Sequence, residues 1–102
     1  MGVLSILFGK KDPKIKEALD AGALIVDVRT PGEFSSGHIK GSKNMPLQQL
    51  SGSWKSLSGT HKIIITVCAS GIRSHAAKKI LEDKGFKVIN GGAWQSVESI
   101  MN

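Results

Sequence analysis

The stretch KIIITVCASGIRS, residues 62–74, carries the strongest structural signal in the chain. Residues 62–67 predict a buried strand, because β-branched side chains pack well on a pleated sheet. From Ser74, apolar residues recur at helical spacing and predict a helix as far as about Lys84. Cys68 therefore follows the carboxyl end of a strand directly, which is where open α/β sheets bind their ligands.

Strands and helices alternate outward from this stretch in both directions. Asp12 and Pro13 are typical of a helix start, and residues 23–28 predict a second buried strand. The other expected segments are a short helix capped by Thr30 and Glu33, a loop over 35–46, a weak helix or turn over 47–50, irregular chain over 51–59, a strand over 86–89, a turn over 90–92 and a helix over 93–101. Strands joined through helices pair in parallel, so we expect an α/β fold with a small, mostly parallel sheet and helices on both faces.

The composition limits the class of protein. A chain of 102 residues with 40% hydrophobic content fits one domain, residues 12–102, after an apolar and basic lead segment, residues 1–11. One cysteine excludes an internal disulfide and a multi-cysteine zinc site, and no histidine pair has ligand spacing, so we expect neither a metal nor a cofactor. No apolar run approaches the ~20 residues that span a membrane. Without a secretory signal either, we expect a cytoplasmic location and no membrane contact.

The formal charge of +6 comes mainly from lysines that are spread along the chain. A nucleic-acid surface would cluster its positive charge and add aromatic side chains for stacking. This chain has no dense basic block, only Arg29 and Arg73 as arginines, and no tyrosine. We therefore expect a solvated, lysine-rich surface and no nucleic-acid partner.

Cys68 is the candidate nucleophile. The loop after it contains Gly71 and Arg73 and leads into a helix, so its N–H groups would point toward a common centre. These N–H groups, the helix dipole and the guanidinium all favour a thiolate over a thiol. An inert buried cysteine is the alternative, because free cysteine is among the most buried residue types. Gly71 and Arg73 favour the nucleophile, since an inert core position needs neither a permissive loop nor a nearby cation.

Several stretches of the chain match one protein family in order and in position. They are IVDVRTPGEF at 25–34, GHIKGSKNMP at 37–46, VCASGIRS at 67–74, and GF at 85–86 followed by GGAW at 91–94. On these residues the chain resembles the rhodanese-like family of single-domain sulfurtransferases, from about Pro13 to Ile100. The resemblance implies the rhodanese-like fold and an enzyme of the thiosulfate:cyanide sulfurtransferase type.

The resemblance also implies a two-step reaction at Cys68. The thiolate would take a sulfane sulfur from a small anionic donor such as thiosulfate, and a thiol acceptor, a relay protein or cyanide would then take it from the persulfide. The residues that would bind the sulfur through backbone N–H groups are Ala69, Ser70, Gly71, Ile72 and Ser74. Arg73 would orient the donor and hold the loop. Asp27 and Arg29 would support the loop, with an ordinary buried ion pair or a helix-cap contact as the alternative for each.

Three other functions stay open beside the enzyme. A sulfur carrier would receive sulfur from one protein and pass it to another, and the uncharged Ala69 and Ser70 are compatible with such a partner. A redox-sensing thiol would need an outside thiol, because the chain has no second cysteine. A phosphatase is disfavoured, since related phosphatases have the spacing Cys-x5-Arg. This chain has Cys-x4-Arg, a smaller ring that also lacks an aspartate general acid.

None of the histidines is expected to act in catalysis. His38 belongs to the Gly-His-Ile stretch, which is structural in this family, so we expect its ring to hydrogen-bond the backbone and pack under the loop. His75 should face solvent or the rim of the site, and His61 should lie at the surface.

Overall fold

Four parallel strands form the centre of the computed structural model, which describes residues 13–101. The strands are β1 Leu24–Asp27, β2 Lys43–Asn44, β3 Ile64–Cys68 and β4 Val88–Ala93. The helices are α1 Pro13–Asp20, α2 Pro31–Ser35, α3 Leu47–Ser53, α4 Ile72–Asp83 and α5 Trp94–Met101, with a 3-10 turn at Trp54–Leu57. The order across the sheet is β2-β1-β3-β4, and these strands pair in parallel, which confirms the expected α/β class.

The two faces of the sheet bury separate apolar clusters. Successive side chains of a strand point to opposite faces. In β3, Ile64 and Cys68 therefore join the cluster on the side of α3 and α4, whereas Ile65 and Val67 join the cluster on the side of α1 and α5. The sheet has helices on both faces, as predicted, and Cys68 lies on the face that α4 covers.

The predicted loop over residues 35–46 contains a strand that the sequence did not indicate. Lys43 and Asn44 pair in parallel with Val26 and Asp27 and form one edge of the sheet. A strand of two residues has no measurable apolar alternation, so only its pairing with β1 defines it. The prediction of a loop is wrong at these two positions.

The chain after β2 is more helical than the sequence predicted. The weak helix or turn expected over 47–50 is a helix seven residues long, and most of the irregular chain expected over 51–59 belongs to it or to the 3-10 turn. Leu50 and Leu57 are buried in the core. This packing outweighs the low helix propensity of Gly52 and its serine neighbours, which is why the prediction failed here.

Helix α4 begins at Ile72, ahead of the predicted start at Ser74. Gly71 is its N-cap and has a φ of 109°, in a region that glycine adopts readily and other residues rarely do. This conformation turns the chain from the loop into the helix at once. Only residues 69–71 therefore separate β3 from α4. The segment from Cys68 to Ser74, called the active loop below, becomes helical two residues earlier than the sequence predicted.

Strand β4 begins later than the predicted strand over 86–89 and continues through the predicted turn. Its pairing with β3 passes from Asn90 to Gly92, so Gly91 is the extra residue of a bulge. A Cβ at Gly91 would come within 2.7 Å of the Ile65 side chain. The absence of a side chain at Gly91 thus allows close packing inside an irregular strand. The predicted turn is wrong, because residues 90–92 belong to β4.

The described residues begin after the predicted lead segment. Residues 1–11, the helix-start role of Asp12 and residue 102 lie outside them, so the division into a lead segment and a domain stays a prediction. Between residues 13 and 101, none of the helices combines the length and the apolar character that crossing a membrane requires.

Candidate active site

Cys68 ends β3 at the carboxyl edge of the sheet, between β1 and β4. Its side chain is fully buried, whereas Ala69 and Ser70 beside it are exposed. The chain passes over the sulfur through these exposed residues and re-enters the fold at α4. Cys68 is therefore covered by the surrounding chain in this conformation.

Backbone N–H groups and a hydroxyl surround the sulfur of Cys68. The N–H of Gly71 donates to Sγ at 3.0 Å and the N–H of Ser74 at 3.3 Å, and Ser74 Oγ lies 3.5 Å from the sulfur. Burial raises the pKa of the thiol, but the hydrogen bond between the sulfur and the Ser74 hydroxyl, together with those from the N–H groups of Ser74, Gly71 and Ser70, outweighs it. The pKa of Cys68 is therefore lower than that of an ordinary thiol, as a nucleophile requires.

The predicted sulfur-binding residues fall into two groups in the structure. Gly71 and Ser74 contact the sulfur directly through their N–H groups. Ala69, Ser70 and Ile72 form the exposed rim of the loop, where the N–H of Ser70 also lowers the pKa of Cys68 and Ile72 has 78% of its surface exposed. What these residues do toward a substrate stays a prediction.

Arg73 forms an ion pair with Glu33 that joins α4 to α2. Its two terminal nitrogens donate to the two carboxylate oxygens at 2.7 Å and 3.0 Å. The hydrogen bonds that Arg73 donates to Glu33 raise the pKa of Arg73 still further, so the guanidinium stays charged. This arrangement fits the loop-holding half of the role that the resemblance implied. The other half, orientation of an anionic donor, stays a prediction.

Glu33 is a site residue that the sequence showed only as a helix cap. The predicted capping box is present: Glu33 N–H donates to Thr30 Oγ1 at 3.2 Å, and Thr30 N–H donates to Glu33 Oε1 at 3.0 Å. The Arg73 guanidinium and the Thr30 N–H together lower the pKa of Glu33 to about 2. Nothing local in the sequence indicates the second partner, because Arg73 is 40 positions away.

Asp27 and Arg29 form a buried ion pair at the carboxyl end of β1. Arg29 Nη2 lies 2.7 Å from Asp27 Oδ2, and both side chains are almost wholly removed from solvent. The same guanidinium donates to the carbonyl oxygens of Glu33 at 3.3 Å and Gly37 at 2.7 Å. The pair therefore connects β1 to α2 and the turn after it. Support of the active loop by these two residues stays a prediction.

Asn90 is a second site residue that the sequence did not reveal. Its Oδ1 accepts hydrogen bonds from Ser74 Oγ at 2.6 Å and from Gly92 N–H at 3.0 Å. Its Nδ2 donates to the carbonyl oxygen of Gly71 at 3.4 Å. Asparagine before two glycines is typical of a turn, so the local sequence predicted a turn residue and gave no indication of its contact with the active loop.

The histidines lie away from the sulfur contacts. His38 Nδ1 is 2.7 Å from the carbonyl oxygen of Phe34, and the two rings stack 3.7 Å apart. The predicted backbone hydrogen bond is confirmed, but the prediction that the ring packs under the loop is wrong, because His38 is exposed in the irregular chain after α2. His61 and His75 are exposed as well. In the part of the chain that the structure describes, no cluster of His, Cys, Asp and Glu could hold a metal ion.

The chain is similar in sequence to proteins of one family. A family model described as the rhodanese-like domain matches residues 12–96. The thiosulfate sulfurtransferase GlpE of Stutzerimonas stutzeri is 36% identical over 70 residues, which cover 69% of this chain and 63% of that protein. YrkF of Bacillus subtilis, named as a candidate sulfur carrier protein, is 36% identical over 78 residues, which cover 76% of this chain and 42% of that protein.

A solved structure shows the same likeness. The crystal structure of a rhodanese-related protein from Thermoplasma volcanium matches with a TM-score of 0.72 at 34% identity, covering 83% of this chain and 84% of that one. The chain spans 49% and 63% of the lengths of two of the curated relatives that it matches. The family match over residues 12–96 confirms the resemblance, and the chain belongs to the rhodanese-like domain family.

Proposed function

We propose that this chain is a sulfurtransferase that carries a sulfane sulfur on Cys68. Membership of the rhodanese-like family and similarity to a named sulfurtransferase support sulfur transfer in general. The observation that carries the proposal is the placement of the only cysteine at the end of β3, with N–H groups at 3.0 Å and 3.3 Å from its sulfur. These donors stabilise negative charge where the reaction needs it.

In the first half-reaction the Cys68 thiolate attacks the sulfane sulfur of thiosulfate. A new S–S bond forms on Cys68, the S–S bond of thiosulfate breaks, and sulfite leaves with the electron pair. The resulting persulfide carries its negative charge on the outer sulfur, which the N–H groups at the start of α4 stabilise. An acceptor thiolate or cyanide then attacks the outer sulfur, and the Cys68 thiolate leaves, ready for the next cycle.

The dimensions of the active loop favour a sulfur atom over a phosphate group. The loop closes after four residues between Cys68 and Arg73, and the Arg73 guanidinium is already bound to both oxygens of Glu33. A phosphate would need that guanidinium and a larger ring of N–H groups. A Cys-dependent phosphatase is therefore a weaker candidate than a sulfurtransferase.

A sulfur relay between two proteins is the second candidate. Ile72, 78% exposed beside the covered Cys68, favours a partner that contacts the loop with an apolar surface. The similarity to YrkF supports the same function. Ala69 and Ser70 add no positive charge that would attract a small dianion. In a relay, a persulfidated protein would load Cys68 in place of thiosulfate.

The mass of the intact protein tests both candidates. After incubation with thiosulfate, the wild-type chain should gain the mass of one sulfur atom and release an equal amount of sulfite. Cyanide should then remove the sulfur as thiocyanate. Cys68→Ala should gain no sulfur, whereas Ser99→Ala, which removes an exposed hydroxyl on α5, should load like the wild type.

The choice of donor separates the two candidates. A sulfur gain from a persulfidated protein but not from thiosulfate would favour the relay. A chain that gains no sulfur from either donor would contradict sulfur transfer altogether. In that case, hydrolysis of an aryl phosphate would favour the phosphatase, and reversible oxidation of Cys68 by peroxide would favour the redox-sensing thiol.

A further inference from the structure

A buried polar network joins Cys68 to Asn90 through the hydroxyl of Ser74. Ser74 Oγ lies 3.5 Å from Cys68 Sγ and 2.6 Å from Asn90 Oδ1. Ser74 is fully buried, so these two neighbours decide what its hydroxyl does. The hydroxyl has one proton and can donate it to only one of them at a time.

The backbone around Asn90 determines which neighbour receives that proton. Gly92 N–H can only donate, and it lies 3.0 Å from Oδ1. The Gly71 carbonyl can only accept, and it lies 3.4 Å from Nδ2. The amide of Asn90 therefore has one orientation, with its oxygen toward Ser74. An amide oxygen only accepts, so the Ser74 hydroxyl donates to Asn90.

This direction has a consequence for the sulfur. With its proton on the Asn90 side, Ser74 Oγ offers Cys68 only lone pairs, which suit a neutral thiol that donates its S–H. The N–H groups of Gly71 and Ser74 donate to the sulfur in either protonation state. The hydrogen bond between the Ser74 hydroxyl and the sulfur must reverse its direction when the thiol ionises, because the hydroxyl stabilises the thiolate only when it donates its proton to the sulfur.

We propose that Asn90 is a positioning residue that controls the ionisation of Cys68 through the Ser74 hydroxyl. By accepting the Ser74 proton it competes with the thiolate for that donor, and so raises the free energy of ionising Cys68 relative to a site without Asn90. When the thiol proton passes to water, the hydroxyl rotates and donates to the thiolate, while Asn90 keeps its hydrogen bond from Gly92. This assignment rests on the proposed role of Cys68 as the reacting thiol.

The charged groups around Cys68 are paired with each other or lie farther away than the hydrogen bond between Asn90 and Ser74. Asp27 at the end of β1 pairs with Arg29, and Glu33 of α2 pairs with Arg73 of α4. His75 of α4 is exposed, and the further charged residues of α4 begin one turn beyond Ser74. Helix α3 and strand β4 have no titratable side chain. Asn90 can therefore alter the ionisation of Cys68 without any change in the net charge of the surrounding groups.

A titration of the thiolate absorbance in the ultraviolet measures the effect directly. The chain has one cysteine and no tyrosine, so the signal reports Cys68 alone. Asn90→Ala removes the competing acceptor and should lower the midpoint by about half a pH unit to one unit, the size of one hydrogen bond. Ser74→Ala removes the donor to the thiolate and should raise the midpoint by a similar amount. Ser74→Thr keeps a hydroxyl and should restore the wild-type midpoint, and Ser99→Ala should not move it.

The double variant decides whether Asn90 acts through Ser74. If it does, Ser74→Ala with Asn90→Ala should titrate like Ser74→Ala alone. A midpoint that Asn90→Ala leaves unchanged or raises would overturn the proposal, and so would a shift that persists in full in the double variant.

An isosteric variant keeps the proposal testable if Asn90→Ala does not fold. Asn90→Asp has nearly the same shape, and its carboxylate accepts the Ser74 proton more strongly, so the midpoint should rise. The rise should be larger with Ser74 present than in the Ser74→Ala background, where only the direct effect of the charge remains. Equal rises in the two backgrounds would overturn the proposal.

Sulfur loading, measured separately by mass, distinguishes this proposal from the proposed function. Opposite midpoint shifts in a chain that never takes up sulfur would support the network and contradict sulfur transfer. Normal loading with no midpoint shifts would contradict the network alone.

Discussion

Single side chains near Cys68 take part in more than one contact. Glu33 closes the capping box of α2 and binds the guanidinium of Arg73 in α4. Ser74 likewise offers its N–H to the sulfur and its hydroxyl to Asn90. Each of these residues therefore links the active loop to a second element. Substituting one of them should affect the structure of the loop and of that element.

The substitution Glu33→Gln should lower stability above about pH 4.5 and have less effect in acid. Arg73 and Thr30 lower the pKa of Glu33 in the folded protein from 4.5 to about 2. A carboxyl group whose pKa is lower in the folded state contributes its full stabilisation above the unfolded pKa. That contribution disappears as the pH falls toward the folded pKa. Thermal unfolding of the two chains at a series of pH values measures the difference.

The control for this substitution is Glu98→Gln, which removes one exposed carboxylate from α5. It accounts for the change in net charge that both variants share. A stability difference between the wild type and Glu33→Gln that stays constant from neutral pH to about pH 2 would contradict the role of the ion pair with Arg73.

At the scale of the elements, the junction between β3 and α4 decides the geometry of the site. Gly71 adopts a φ of 109° and directs its N–H at the sulfur of Cys68, 3.0 Å away. The chain then enters α4, whose first turn supplies the N–H of Ser74. The arrangement of N–H groups around the sulfur thus depends on the conformation of one glycine as much as on the other loop residues.

The substitution Gly71→Ala should destabilise the fold and impair the site together. A side chain at this φ costs about 1–2 kcal/mol, and the new Cβ would lie 3.4 Å from the Cα of Gly92. Relaxation of the strain would also turn the N–H away from the sulfur, so sulfur loading should slow. Chemical unfolding and the mass assay measure the two effects.

The matched control is Gly52→Ala in α3, where a Cβ meets nothing within 4 Å. Because glycine weakens a helix, this control should leave stability unchanged or raise it by about 0.5–1 kcal/mol. If Gly71→Ala behaves like Gly52→Ala in both assays, the conformation of Gly71 does not determine the site.

At the scale of the whole molecule, the pair of Asp27 and Arg29 connects the sheet to three other parts of the chain. Arg29 binds Asp27 at the end of β1 and carbonyl groups of α2 and the following turn, and its guanidinium lies 4.9 Å from the centre of the Trp94 ring in α5. Such a pair is costly to bury, but it is costlier to break, because one charge is then left without its partner.

The substitution Arg29→Met should therefore destabilise the fold by about 3–5 kcal/mol, since it leaves the buried Asp27 carboxylate unpaired. Replacing both residues, as Asp27→Leu with Arg29→Met, should cost less than Arg29→Met alone. Denaturant unfolding measures all variants. Lys16→Met, which breaks an exposed ion pair with Asp20, serves as the control and should cost roughly 0–1 kcal/mol. If Arg29→Met lowers the free energy of unfolding by no more than the control does, the buried pair does not have this role.

The predictions from sequence succeeded where local pattern and burial agree. The β-branched run of β3 and the apolar spacing of α4 each predict their element from its own residues, because side chains repeat with different periods in strands and in helices. The predictions failed at Lys43–Asn44 and at Gly91, where pairing with a neighbouring strand defines the structure. They also failed in α3, where burial of leucines outweighs weak helix propensity.

The sequence by itself determined that Cys68 follows a buried strand and precedes a helix, that the loop between them is short, and that the chain resembles the rhodanese-like family. Only the tertiary structure decided which distant side chains meet at the active loop. Glu33 meets Arg73 across 40 positions, and Asn90 meets Ser74 across 16. Contacts at such separations depend on how the strands pair and how the helices pack on them, and local sequence carries no signal for either.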